Sequence, residues 1–272
     1  MIGIIGVIFN KSIIWSVRGE LSPSALEYSS LKKRIALQFF SLFKRKIVFH
    51  STSLEETLDI HRQFGEKVKV VQLPNYIELP QKLNSQKQEN PYLLYLGRIH
   101  PIKGIENLLK ALKISKQFSS SKFHLKIAGD YENDYGKKLL KLISELELTN
   151  KVQFLGKIEG NKKEQVLANA YTLILPSYSE NFGNVVVEAL AQGTPVIASQ
   201  GTPWSILEKN QAGIWINNTP NSLAVGIDKM LLLNQSSYSE YRQNAYALVK
   251  NEFDVFEKVD NWIKEYTTIL NT

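Results

Sequence analysis

The sequence predicts an α/β protein with parallel sheets, and three observations support this prediction. From Asn90 onward, short runs of β-branched and aromatic residues alternate with longer segments of helical periodicity, as in repeated βα units. The 272 residues are 43% apolar and 22% charged, which is typical of a packed protein with one large or two ordinary domains. Residues 79–91 are polar, proline-bounded and without periodicity, which indicates a linker.

The region after this linker carries the clearer pattern. Apolar residues at spacings of three and four predict one helix from Ile105 through Leu112 and another from Leu139 through Leu146. Strands are predicted at residues 92–96, 123–127, 152–155, 172–175 and 195–198, and closing helices at residues 222–233, 238–250 and 256–270.

The region before the linker contains the elements of about half a Rossmann-like domain. Strands are predicted at residues 13–17, 47–50 and 68–73, and helices at residues 24–43 and 54–64. We therefore expect two Rossmann-like lobes, the first (residues 1–80) incomplete and the second at residues 81–253, followed by a helix at 254–272. The apolar run 2–9 is shorter than the ~20 residues of a membrane helix, so we interpret it as a strand or an irregular start.

Composition excludes some chemistry. The absence of cysteine excludes disulfides and thiolate metal sites. It fits a reducing cytosol, so we expect a cytoplasmic protein, and it also fits many other compartments. The formal charge of +7 suits phosphates, nucleic acid or an anionic membrane, but the chain lacks RNA-binding and zinc-finger motifs, which disfavours nucleic acid. It also has no Asp-x-Asp and no histidines at ligand spacing, so we expect no metal requirement.

Two segments carry candidate chemistry. The strand 92–96 runs into residues 97–104, Gly-Arg-Ile-His-Pro-Ile-Lys-Gly, so Arg98 and Lys103 lie where ligands of open α/β sheets bind. Cations there suit phosphate, although a solvated basic turn fits this stretch equally well; His100 is the one histidine we place near a site. Residues 175–198 predict strand, loop, helix, glycine stop and strand, with Glu180 in the loop and Glu188 in the helix, a spacing that solvated acids also show.

Together these segments resemble a known family. The pattern G-R-x-x-x-x-K-G at residues 97–104 and E-x-F-G-x-x-x-x-E-A-x-A-x-G-x-P-V-I-A-S at residues 180–199 resemble the retaining glycosyltransferases of family 4, also called glycosyl transferases group 1. Leu73-Pro74-Asn75 matches the family's hinge-side motif. The resemblance implies a B-type enzyme of two Rossmann-like domains, in which the second holds the nucleotide-sugar and the helix around Trp262 crosses back to the first.

The resemblance also implies residue roles. Arg98 and Lys103 would neutralise the donor diphosphate and Glu180 would bind the donor sugar's hydroxyls, so these three form the predicted catalytic set. Glu188 would bind the ribose. The rest of the predicted donor-binding set comprises the loop and helix start at Asn181, Phe182, Gly183, Asn184 and Val185, the Gly156-Lys157 turn beside the base, and Gly97 and Gly129. Because cations and a helix N-terminus can stabilise the departing diphosphate, no metal or other cofactor is required.

The sequence departs from the family in two places. Asn181 stands where glycine is usual, and asparagine tolerates a left-handed backbone. The glycine-rich loop and the histidine of the family's first domain do not appear before Ile13. What remains, R-G-x-L-x-P at residues 18–23, resembles polysaccharide-building members, so Arg18 and Gly19 are the predicted acceptor-side residues; an ordinary strand-end turn is the alternative.

Residues 31–46 place basic clusters at both ends of an apolar run. Such a helix can lie on anionic lipid, which leaves peripheral association with the inner face of the membrane open. The alternative, which we favour, is that the apolar face packs on the sheet. That face carries Tyr28, Leu31, Ile35, Phe39 and Leu42.

The sequence thus predicts transfer of a sugar from a nucleotide-diphosphate-sugar to a glycan or lipid-linked acceptor, with retention at the anomeric carbon. Retention requires a precisely positioned acceptor, which an incomplete first lobe would impair. The alternative is therefore a catalytically inactive module that binds the nucleotide-sugar. A nucleotide-sugar epimerase is disfavoured by the Glu180–Glu188 spacing and by the Arg98–Lys103 pair.

Overall fold

A computed structural model describes residues 13–27, 31–80 and 91–270. The chain divides into two compact units: unit 1, Met1–Tyr76 with Val255–Thr272, and unit 2, Ile77–Asp254. The predicted start at residues 2–9, Tyr28 and most of the predicted linker lie outside the described residues. None of the helices that the structure describes is long and apolar enough to cross a membrane.

The elements follow one another in βα order. In chain order they are β1 (Ile13–Ser16), α1 (Pro23–Glu27), α2 (Leu31–Phe43), β2 (Ile47–Ser51), α3 (Leu54–Phe64), β3 (Lys69–Gln72), β4 (Tyr92–Leu96), α4 (Ile105–Ile114), α5 (Lys116–Ser120), β5 (His124–Ala128), α6 (Asp134–Glu145), β6 (Val152–Gly156), α7 (Gly160–Ala168), β7 (Thr172–Leu175), α8 (Asn184–Ala191), β8 (Val196–Ser199), α9 (Ile206–Lys209), β9 (Gly213–Ile216), α10 (Pro220–Leu231), α11 (Gln235–Glu252) and α12 (Val255–Leu270).

Unit 1 contains a parallel sheet in the order β1-β2-β3. Its core is aromatic: the Phe49 ring lies 4.8 Å from that of Phe64, and Trp15 lies 5.6 Å from Phe49. Helix α3 begins where the Ser53 side chain accepts a hydrogen bond from the Glu56 amide, and it ends at Gly65, whose φ is +89°. These caps fix the helix directly after β2.

Unit 2 contains a six-stranded parallel sheet in the order β6-β5-β4-β7-β8-β9. Both faces are covered by helices, so β4 and β7 are almost wholly buried and read as continuous apolar runs. The strand order reverses between β4 and β7, and the crevice outside the carboxyl ends of these strands is where such sheets bind ligands. The predicted α/β class with two parallel sheets is confirmed.

The predicted packing of α2 is wrong. Leu31, Ile35 and Leu42, expected against the sheet, are 73%, 57% and 78% exposed. The helix instead buries Leu37 and places Phe40 4.8 Å from the Trp15 ring. Helix α2 has apolar residues on two sides and can bury only one side. The buried side is the one that carries Phe40, because Phe40 packs on the aromatic core of unit 1.

Candidate functional site

Three glycines form the floor of the candidate site at the carboxyl ends of β4, β5 and β6. The Gly97 amide donates to the Ala128 carbonyl at 3.0 Å, and the Gly129 amide donates to the Gly156 carbonyl at 2.9 Å, so the strand ladders continue into the loops. A Cβ on Gly129 would lie 2.1 Å from the Gly97 carbonyl oxygen. Only glycine therefore fits this close approach of two loops.

Lys103 and Glu180 meet above β4 and β7. The Lys103 Nζ pairs with Oε1 of Glu180, and the two side chains are only 12% and 14% exposed. Ser177 Oγ donates to the same carboxylate oxygen at 3.0 Å. The backbones are joined as well, because the Tyr178 amide donates to the Ile102 carbonyl at 2.8 Å. Two of the three predicted catalytic side chains are thus in direct contact.

Asn107 and Asn218 hold these two loops together, and sequence reasoning missed both. Asn218 donates through its side-chain amide to the Pro176 carbonyl, and Asn107 donates to the Tyr178 hydroxyl and to the Asn218 carbonyl, each at 2.9 Å. Gly104 has a φ of +65°, and a Cβ there would lie 2.1 Å from the Pro176 oxygen. The turn that carries Lys103 is therefore held in place by Asn107, by Asn218 and by the close approach of Gly104 to Pro176.

Arg98, the third predicted catalytic residue, is exposed and lines a cavity that neither Lys103 nor Glu180 lines. Among the residues with described positions no carboxylate pairs with it. Its carbonyl accepts a hydrogen bond from the Tyr95 hydroxyl at 2.7 Å; burial and the charge of Glu180 raise the pKa of Tyr95, so this hydroxyl keeps its proton. The cavity has a volume of about 400 Å³ and is lined by Leu96, Gly97, Arg98, Ile99, His100, Ala128, Gly129, Asp130, Asn133, Lys157 and Ile158.

The loop before α8 ends in a helix N-terminus without a side-chain cap. Gly183 precedes the helix with a φ of +79°, and Asn184 and Val185 occupy its first turn. Asn181, which stands where glycine is usual in the family, does not use a left-handed backbone here, because Gly183 is the residue of this loop with positive φ. The Phe182 ring is buried 5.3 Å from Trp204, whose indole donates to the Phe182 carbonyl.

Glu188 lies one turn further along α8 and is paired with Lys163. Lys163 Nζ donates to Glu188 Oε1 at 2.6 Å, and the side chains are 29% and 25% exposed. Both residues line a second cavity of about 580 Å³, together with Ile77, Leu79 and Gln192. The structure therefore groups Arg98 with Gly97, Gly129 and Lys157, and Lys103 with Glu180, but places Glu188 in another cavity.

The predicted acceptor-side residues lie in unit 1, directly after β1. Arg18 is exposed and Gly19 follows it, both with positive φ, +47° and +78°. His50, which sequence reasoning set aside, lies at the end of β2, with Nδ1 2.8 Å from Ser16 Oγ and Nε2 3.0 Å from the Leu73 carbonyl. Because both ring nitrogens are occupied, His50 has a structural role.

Neither unit contains a metal centre in its described part. No three histidine, aspartate or glutamate side chains converge there in a way that could hold an ion.

Comparison with known proteins gives a consistent result. A model of the family described as glycosyl transferases group 1 matches residues 77–248. The chain is 30% identical over 261 residues to an uncharacterized glycosyltransferase of Methanocaldococcus jannaschii, a match that covers 89% of this chain and 64% of that protein. It is 29% identical over 202 residues to the O-antigen chain mannosyltransferase of Salmonella typhimurium, covering 74% of this chain and 54% of that one.

Solved structures with the same fold are also found. HepE of Anabaena, crystallised with UDP and glucose, aligns with this chain at a TM-score of 0.82 and 22% identity. The alignment covers 97% of this chain and 74% of that chain. Sucrose-phosphate synthase of Thermosynechococcus elongatus aligns at a TM-score of 0.80 and 21% identity, and the alignment covers 98% of this chain and 71% of that chain. This chain thus spans less than two thirds of the two relatives named above and about three quarters of these structures.

Proposed function

Because this chain belongs to the glycosyl transferases group 1 family, we propose that it transfers a sugar from a nucleotide-diphosphate-sugar to a glycan or lipid-linked acceptor, with retention of the anomeric configuration. The observation that carries the proposal is the contact between Lys103 and Glu180 at the switch point of the unit 2 sheet, beside the exposed Arg98. Two cations next to the end of β4 suit a diphosphate.

The chemistry follows from where charge develops. When the bond between the anomeric carbon and the diphosphate breaks, negative charge collects on the leaving oxygen, and Arg98 and Lys103 stabilise it. The amides at the start of α8 add donors without a competing side-chain cap. Glu180 accepts hydrogen bonds from the donor sugar's hydroxyls, and in doing so exchanges part of its contact with Lys103.

The nucleoside lies on the β5 and β6 side of the site in this proposal. Gly156 leaves room for it and Lys157 borders the base. Glu188 accepts from the ribose hydroxyls, so the nucleoside reaches from the cavity beside Arg98 towards the second cavity, which Glu188 lines. Since Glu188 is paired with Lys163, nucleotide binding requires the Glu188 carboxylate to accept from the ribose hydroxyls while it also accepts from Lys163. No metal takes part, because the cations and the helix N-terminus meet the developing charge.

Nucleotide binding tests the donor site directly. We expect purified protein to bind UDP-glucose or GDP-mannose in isothermal titration calorimetry, and Arg98→Ala to weaken that binding at least about tenfold, as loss of a charge-assisted phosphate contact does. Lys110→Ala is the matched control, because Lys110 is an exposed cation on α4 of the same unit. Unchanged nucleotide binding by Arg98→Ala overturns the proposal.

A donor-binding module without catalysis is the second candidate. It is favoured by the small sheet of unit 1, which has three strands in its described part against six in unit 2. Incubation with the same two donors and a mixture of lipid-linked and soluble glycan acceptors separates the candidates. Transferred or hydrolysed sugar supports the enzyme; tight donor binding with neither product supports the module.

The exposed face of α2 supports a place for the enzyme at the inner face of the membrane. Residues 31–46 contain six basic and no acidic side chains, beside the exposed Leu31, Ile35 and Leu42. Apolar side chains flanked by cations suit an anionic bilayer. The protein should sediment with phosphatidylglycerol vesicles and less with phosphatidylcholine vesicles, and serine at these three positions should reduce sedimentation. Serine at the exposed Val225 and Leu232 of unit 2 is the control; equal sedimentation of both variants contradicts this placement.

A further inference from the structure

The turn after β1 adopts a backbone conformation that costs free energy. Arg18 has a φ of +47°, which is unfavourable for a residue with a side chain relative to the right-handed region. Gly19 follows with a φ of +78°. Something in the structure must hold Arg18 in this conformation.

The buried carboxylate of Glu56 stabilises this conformation through a hydrogen bond to the residue after Arg18. Glu56 is 3% exposed, and its Oε1 accepts a hydrogen bond from the Gly19 amide at 2.7 Å. Its Oε2 accepts from the Thr52 amide at 2.7 Å and from the Thr52 hydroxyl at 2.9 Å. No cation pairs with this carboxylate among residues 13–27, 31–80 and 91–270. Glu56 therefore ties the ends of β1 and β2 together through backbone amides.

The side chain that this turn presents is a cation without a carboxylate partner in the described part of unit 1. Arg18 is exposed and lies close enough to Tyr266 to oppose the rise that burial causes in the pKa of Tyr266. The Tyr266 ring stacks on Trp262 at 5.1 Å. The indole Nε1 of Trp262 is buried without a hydrogen-bond partner in the structure as described.

The turn gives its Gly19 amide to Glu56 and not to a ligand. Because the Gly19 amide already donates to Glu56, the guanidinium of Arg18 is the anion-binding group that the turn offers. It lies at the carboxyl end of a parallel strand, where α/β sheets bind ligands. A guanidinium forms paired hydrogen bonds with phosphate and carboxylate oxygens.

We propose that Arg18 binds an anionic group on the acceptor, and that Glu56 is a positioning residue that aims Arg18 by holding the Gly19 amide. The inference rests on the proposed glycosyl transfer and specifies its acceptor as a charged carbohydrate. The charge is either the phosphate that joins a sugar to a lipid carrier or the carboxylate of a uronic acid within a glycan.

Three small probes test the charge requirement: glucose 1-phosphate, glucuronate and glucose, each titrated into the full chain and followed through the amide resonances of residues 16–20. We expect a charged probe to bind at least about tenfold more tightly than glucose, as a charge-assisted contact does. Arg18→Gln should reduce that ratio to about one, and Arg18→Lys should restore part of it. The stronger of the two charged probes identifies phosphate or carboxylate as the source.

Glu56→Gln keeps the shape of the side chain but replaces one of its two acceptor oxygens with an NH2 donor, so one oxygen remains for the Gly19 and Thr52 amides. It should speed hydrogen exchange of the Gly19 amide and lower the charged-to-neutral ratio, while nucleotide binding by unit 2 stays unchanged. Equal affinity of the wild type for charged and neutral probes, or an unchanged ratio in Arg18→Gln, overturns the inference. If the wild type binds neither UDP-glucose nor GDP-mannose, the proposed function is overturned instead. Should Arg18→Gln fail to fold, the wild-type ratio decides.

Discussion

The carboxyl ends of the two sheets are built differently. In unit 2, side chains are paired with side chains: Lys103 with Glu180, and Lys163 with Glu188. In unit 1, the Glu56 carboxylate is bound to backbone amides and leaves Arg18 unengaged by any described carboxylate. A ligand that contacts Lys103 or Glu188 must therefore compete with their side-chain partners, and only Arg98 in unit 2 meets it without a described carboxylate partner. A ligand at unit 1 would instead meet a turn whose backbone is already fixed.

The largest expected effect comes from breaking the Lys103–Glu180 pair. Lys103→Ala should lower the rate of sugar transfer about 10²–10³-fold, the loss that follows removal of one group that stabilises developing charge. Lys113→Ala is the control, because Lys113 pairs with Glu147 in an exposed contact of the same unit. That variant should keep the wild-type transfer rate, measured with the same donor.

If Lys103→Ala loses less than about tenfold in rate, the pair contributes to packing and Arg98 alone carries the diphosphate charge. Nucleotide affinity distinguishes the two roles of Lys103. A loss in rate with little change in affinity means that Lys103 acts as the bond breaks.

The second effect tests whether the end of unit 1 is fixed by one carboxylate. Glu56→Ala removes three hydrogen bonds to a charged acceptor, so the free energy of unfolding should fall by about 3 kcal/mol. Urea denaturation measures it. Glu55→Ala is the matched control, because Glu55 is an exposed carboxylate next to it on α3.

A change below about 1 kcal/mol in Glu56→Ala would place the turn among ordinary surface turns. It would also mean that the carboxyl end of the unit 1 sheet is not fixed by Glu56, so the difference from the unit 2 sheet would disappear. Hydrogen exchange at Gly19 gives an independent measurement, since that amide should exchange as slowly as its neighbours in β1 only while Glu56 holds it.

The third effect concerns two glycines of the candidate donor site. Gly129→Ala would place a Cβ 2.1 Å from the Gly97 carbonyl oxygen, so the loops must separate and the free energy of unfolding should fall by about 2 kcal/mol. Gly156→Ala meets no atom within 4 Å, and only its φ of +69° opposes alanine, at about 1 kcal/mol. Thermal unfolding of both variants measures the difference; equal losses would mean that the loops after β4 and β5 yield easily.

Most of unit 2 could be predicted from local sequence. Strands β4 and β7 have the predicted bounds because each is an apolar run that ends in a recognisable loop. Strand β9 was missed because it is four residues long and begins with Gly213. Arg98, Lys103, Glu180 and Glu188 stand within continuous motifs, which is why their chemical roles could be proposed from the sequence alone.

The partners of these residues could not be predicted. Lys163 is 25 positions from Glu188, and Asn218 is 42 from Pro176, so only the packing of α7 and β9 brings them together. The exposed face of α2 was also misassigned, because periodicity marks an apolar face without showing which side the Trp15 cluster selects. In unit 1, nothing in the sequence marks Glu56 as different from Glu55 until α3 is placed against the β1 turn.

The smallest expected effect comes from Lys163, and it sharpens the contrast within unit 2. Its pair with Glu188 is partly exposed, so it should stabilise less than the buried Lys103–Glu180 pair, and Lys163→Ala should weaken UDP binding about threefold, or about 0.7 kcal/mol. If Glu188 accepts from the ribose, Glu188→Ala should also reduce the preference for UDP over 2′-deoxy-UDP, while Lys163→Ala keeps it. Calorimetric titration with both nucleotides measures these ratios. A loss above about tenfold in Lys163→Ala would show that Lys163 contacts the nucleotide itself, because orienting a carboxylate that is one-quarter exposed does not account for so large an effect.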